Sequence, residues 1–127
     1  MSDKKLVVID WDEAMEQCGD DEDFLKELLS DLRGEIEAQI VKIEEALEPV
    51  NDQSFLPIMR ASHVIKGASS NLMCQQLRET ATNLEQAAAA ANGNADAASS
   101  EEEVKEKFEE LKTAVDNFFS FLESQDI

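Results

Sequence analysis

His63 is the only histidine of the 127-residue chain, and it stands in the stretch MRASHVIKGASSNLM, with Lys66 three positions on and Gly67 four. An imidazole has an ordinary pKa of about 6.5, so it offers an uncharged, nucleophilic nitrogen at neutral pH. An ammonium one helical turn away can neutralise an anion carried on such a ring. Glycine in the middle of a helix costs about 1 kcal/mol against alanine, and no turn or cap asks for one here. Gly67 therefore implies that something approaches the backbone closely. Ala68, Ser69 and Ser70 follow and keep the surface low. The combination suits a nucleophile that must fit into the active site of another protein.

The rest of the chain supplies little chemistry of its own. It has no glycine-rich phosphate loop of the Walker kind and no second histidine to serve a serine or cysteine as base. Machinery for a reaction at His63 is therefore expected in a partner. Cys18 and Cys74 lie far apart, with no further cysteine or histidine at ligand spacing, so no metal site is expected. A metal- or ligand-binding bundle is disfavoured, because inward Glu-x-x-His pairs need more than one histidine.

His63 is useful only if its helix turns it outward. With about 100° per residue and His63 as zero, Ser54, Ile58, Ala61, Ile65, Ala68 and Leu72 fall on the opposite side. Met59, Lys66, Gly67 and Ser70 share its sector, and Arg60 lies at the margin. The apolar stripe thus faces away from the histidine.

The remaining segments read as helices around this one. DWDEAMEQCGD has Asp10 and Glu13 at capping-box spacing and closes near Gly19, giving a short first helix that Leu6, Val8 and Trp11 could anchor. From Asp20, the expected N-cap, to Glu48, the positions Leu25, Leu28, Leu32, Ile36, Ile40 (or Gln39), Ile43 and Leu47 make one long amphipathic helix that Pro49 stops. Gly34 falls on its exposed side.

The helix of His63 runs from Ser54 to about Met73, with Pro57 tolerated in its first turn. Leu77, Ala81, Leu84, Ala88 and Ala91 stripe the next one, and the short link between them dictates an antiparallel hairpin. NGNADAASS reads as a loop. Ser100 and Glu103 then read as a capping box before Val104, Phe108, Leu111, Val115, Phe118 and Leu122. LVVI is a weak strand signal and the only one. The expected fold class is all-α, an antiparallel up-down-up-down four-helix bundle with a short additional N-terminal helix, in one domain spanning 1–127.

Eleven Lys and Arg against 29 Asp and Glu give a formal net charge of −18, which repels phosphate backbones and anionic lipid surfaces. No nucleic acid or membrane partner is expected. The apolar runs are too short for a signal peptide or a membrane span, which points to an intracellular protein with reduced thiols.

The stretch HVIKGASSNL resembles the His-x-x-Lys-Gly-small-small signature of histidine-containing phosphotransfer (HPt) domains, and LRETATNLEQ resembles the family's next helix. The resemblance covers nearly the whole chain, from about Leu6 to Leu122. It implies a phosphorelay intermediate, not an autonomous enzyme, that takes a phosphoryl group from a receiver aspartate and passes it to an aspartate on another receiver. His63 would be the phosphorylated residue, Lys66 the cation on the phosphoryl oxygens, and Gly67 the opening for the receiver's loops.

No cofactor is implied in this chain, since Mg2+ would be held by the receiver. The implied partners are receiver domains of hybrid sensor histidine kinases and response regulators, met by a monomer in the cytoplasm, or in the nucleus of a eukaryote. Met59, Arg60 and Ser70 would contribute to binding. Met73 departs from the family, many of whose members have glycine there. The family often carries a polar residue on the following helix level with the histidine; of Asn83, Glu85 and Gln86, Gln86 is the preferred orienting group. The alternative is an adaptor that binds receivers without carrying phosphate.

Overall fold

The computed structural model describes residues 7–48, 50, 53–92 and 97–127. It contains α1 (Trp11–Gln17), α2 (Glu22–Ala46), α3 (Phe55–Asn71), α4 (Gln75–Ala91) and α5 (Ala97–Ser124), and no strand among the described residues. The residues of LVVI that are described, 7–9, are non-strand. Leu6, Pro49 and residues 93–96 of the expected loop lie outside the described residues.

Each long helix buries residues in alternating steps of four and three. α2 buries Leu25, Leu29, Leu32, Ile36, Gln39 and Ile43; α4 buries Leu77, Ala81, Leu84, Ala88 and Ala91; α5 buries Val104, Phe108, Leu111, Val115, Phe118 and Leu122. That spacing keeps one seam facing a neighbour along the whole helix, the packing of a left-handed bundle. α3 packs on both α2 and α4, and α4 packs on α5. α2 and α5 close the ring, with the Arg33 guanidinium 4.8 Å from the centre of the Phe119 ring.

The seam of α2 differs from expectation at Leu28. Leu29 is buried and Leu28 half-buried, because a step of three or of four fits the periodicity equally and only the neighbouring helix fixes the phase. Gln39, rather than Ile40, occupies the seam, and its Nε2 donates to Glu35 Oε2 at 3.1 Å.

Two helix starts also differ. Asp21, not Asp20, caps α2, its Oδ1 accepting from the Phe24 N–H at 3.1 Å. Asp20 instead has φ 60°, and its N–H donates to the Met15 carbonyl at 2.8 Å, completing the turn that Gly19 opens after α1. α5 begins at Ala97, so Ser100 and Glu103 lie inside the helix and not at its cap. The alanines before Ser100 are strong helix formers and carry the helix back by a turn.

At one end of the bundle the N-terminal segment ties α1 across the α3–α4 turn. The Asp10 N–H donates to the Met73 carbonyl at 2.9 Å and the Gln76 N–H to the Val7 carbonyl at 3.1 Å. Asp10 caps α1 through Oδ1 on the Glu13 N–H at 3.2 Å, which is half of the expected box. Ile9 is buried there, Val8 and Trp11 are half-buried, and Trp11 meets Phe121 of α5 with ring centres 5.9 Å apart.

Candidate functional site

α3 is held from behind by Ile58, Ala61, Ile65 and Leu72, with Ser62 and Ser69 buried among them. His63 therefore faces outward, its side chain 65% exposed. Arg60 and Gly67 are exposed on the same side, and Met59, Lys66 and Ser70 are half-buried around it. The Ser70 hydroxyl donates to the Lys66 carbonyl at 2.8 Å and so is turned to its own helix. Ser69 does not belong to the low outer surface; it is wholly buried, and its hydroxyl has no hydrogen-bond partner among the described residues.

The α3–α4 turn sets which residue of α4 meets the histidine. α3 ends at Asn71 with Leu72 as cap, and Met73 follows at φ 60°. The Met73 N–H donates to the Ser70 carbonyl at 3.3 Å and the Cys74 N–H to the Ser69 carbonyl at 3.0 Å, the hydrogen-bond pair of a glycine-type helix stop. Met73 thus adopts the turn that glycine favours, and the hairpin closes without one.

That hairpin brings Glu85 to His63. Glu85 Oε2 lies 3.0 Å from His63 Nδ1, and Glu85 Oε1 accepts from Lys66 Nζ at 2.7 Å. Partial burial alone would raise the Glu85 carboxyl, but the hydrogen bonds from Lys66 and His63, with the lysine charge, outweigh it and hold the group below the usual carboxylate range. An ionised carboxylate only accepts, so in the neutral ring the proton is assigned to Nδ1 and the free lone pair to Nε2.

Gln86 is not the residue placed at the ring. One residue further on is about 100° further round the helix, and Gln86 accordingly lines a groove toward α5 with Asn83, Glu103 and Lys107. The signal that separates the two is charge, because only Glu85 can pair with Lys66.

Beside His63 the surface becomes apolar. Val64 is 38% exposed, and Ala68 and Asn71 border a groove whose other wall is Phe24 and Leu28 of α2, with Cys18, the residue that caps α1, at one end. Asp31 and Glu35 lie along it. A Cβ built at Gly67 would meet no atom within 4 Å, so this fold does not itself require glycine there.

Among the described residues no group of three or more His, Cys, Asp or Glu could hold a metal ion, and no helix is long and apolar enough to cross a membrane. The Hpt domain family model matches residues 27–118, well over half of the chain, and takes in His63, Lys66, Gly67 and Glu85. No curated protein and no solved structure is matched.

Proposed function

Because this chain belongs to the Hpt domain family, a family of phosphotransfer carriers that work with receiver domains, we propose that His63 relays a phosphoryl group between receiver aspartates in a multistep phosphorelay. The observation that carries this reading is the exposed His63 ring with Nδ1 engaged by Glu85, which leaves Nε2 as the nucleophile. In the forward step the Nε2 lone pair attacks the phosphorus of an aspartyl phosphate and the aspartate carboxylate leaves. Lys66, one turn from the ring, offsets charge on the phosphoryl oxygens. Gly67 lets the receiver's loops reach the helix, and the receiver brings Mg2+ and the remaining catalytic groups.

The docking face in this reading is the strip from His63 across Val64 and Ala68 to Phe24 and Leu28, with Met59 and Arg60 on its rim. The chain acts as a monomeric carrier between the receiver of a hybrid sensor kinase and that of a response regulator.

A panel of isolated receivers, each charged with labelled phosphate, tests the reading. The chain is expected to take an acid-labile label from at least one and to discharge it to another. Binding to receivers without any transfer would instead make it an adaptor.

A further inference from the structure

The hydrogen bond that fixes the tautomer of His63 also bears on the phosphorylated ring. When Nε2 attacks an acyl phosphate, its lone pair forms the N–P bond, the P–O bond breaks, and that electron pair leaves with the carboxylate. The Nδ1 proton takes no part. The product ring therefore carries hydrogen on one nitrogen, phosphorus on the other, and a positive charge. Loss of the Nδ1 proton would change the leaving group in the next transfer from imidazole to imidazolate, which is far poorer.

Glu85 opposes that loss. A ring without its Nδ1 proton would turn a lone pair toward a carboxylate oxygen that lies 3.0 Å away, acceptor against acceptor. The other oxygen of Glu85 already holds Lys66 at 2.7 Å, so an arriving phosphoryl group shares this cation with a carboxylate. Both effects disfavour storage of the phosphoryl group.

We propose that Glu85 is a positioning residue that keeps Nδ1 of His63 protonated through the whole transfer cycle, so that the phosphoryl group rides on a cationic ring and is discharged quickly rather than stored. This rests on the carrier reading above and specifies how the site is tuned. Among the described residues, other charged groups near the site include Arg60 on α3, Asp31 and Glu35 of α2 along the groove at Ala68, and Glu103 and Lys107 of α5 at Gln86. Among the described residues, the hydrogen bond to the ring comes from Glu85.

The test charges the full chain with phosphoramidate, a small N-phosphoryl donor whose ammonia leaves as the new N–P bond forms, so no receiver is needed. Loss of phosphate is followed by phosphorus NMR from about pH 6 to about pH 10, spanning the range in which imidazole nitrogens titrate. Wild type is expected to discharge at a nearly level rate into the mildly alkaline range. Glu85→Gln is expected to slow at lower pH and to hold its phosphate at least about threefold longer there. Coincident profiles would overturn the proposal while leaving the carrier reading in place. Nitrogen-15 spectra of the charged wild type give a check that needs no variant: the proton should remain on Nδ1 in the mildly alkaline range, and its loss there would overturn the proposal. If neither phosphoramidate nor any charged receiver labels His63, the carrier reading itself falls and takes the proposal with it.

Discussion

Lys66 Nζ lies 2.7 Å from Glu85 Oε1, joining α3 to α4 beside the exposed ring of His63. Because Glu85 is held below its usual value of 4.5, the stability this pair contributes is present above that value and is lost as pH falls through the lower, folded one. Lys66→Ala should cost about 0.2–1 kcal/mol at neutral pH, the range for an ion pair that water still reaches. The cost should shrink in acid and transfer should slow with the fold intact. Urea unfolding at neutral and acidic pH, with transfer kinetics alongside, checks this; an equal cost at both pH values would detach the lysine from Glu85.

Gly67 is the second case in which stability and function should part. The open space at its Cβ position means that Gly67→Ala should raise stability by about 1 kcal/mol, the ordinary helix preference for alanine. Receiver docking and transfer should weaken, because the added methyl stands beside His63. Gly34 is exposed in α2 with the same open space, so Gly34→Ala should give the stability gain with transfer unchanged. Equal transfer rates in the two variants would remove the role assigned to Gly67.

At Met73 the sign of the glycine preference should reverse. A left-handed conformation costs an L residue about 1–2 kcal/mol, and Met73 adopts it at φ 60° while its side chain packs on the core. Comparing Met73→Gly with Met73→Ala removes the side chain from both and leaves the backbone term. The glycine variant should be the more stable by about 1 kcal/mol in thermal or urea unfolding. An alanine variant of equal or greater stability would mean that the turn has rearranged.

The two thiols should be told apart by reagent access. Burial pushes the Cys74 thiol up to about 12, and its Sγ faces the Leu72 carbonyl at 3.6 Å, whereas Cys18 is half-buried at the end of the α2–α3 groove. An aromatic disulfide reagent should modify Cys18 in the native protein and reach Cys74 only on unfolding. Rapid reaction of both would mean that the α3–α4 turn opens readily.

The parts legible in the sequence are those decided by periodicity over many residues. The stripes of α4 and α5 and the outward face of α3 follow from spacing alone, and that was enough to expose His63 and place Met59, Lys66 and Gly67 around it. Choices between adjacent residues were not legible. Asp20 and Asp21 are equal as caps until the preceding turn fixes one of them, and Leu28 and Leu29 are equal until α3 is in place. Glu85 and Gln86 differ by one step around α4, and the charge on Lys66 distinguishes them. Ser62 and Ser69 carry no apolar signal, so their burial could be read only from the packed structure.

Whether His63 itself carries the phosphoryl group is decided by His63→Gln. The variant removes the nucleophile from an exposed position at no cost in core packing, so it should keep the helical fold by circular dichroism. Incubated with a receiver bearing labelled phosphate, it should acquire no acid-labile label where the wild-type chain does. A label at the wild-type level would mean that another residue carries the phosphoryl group.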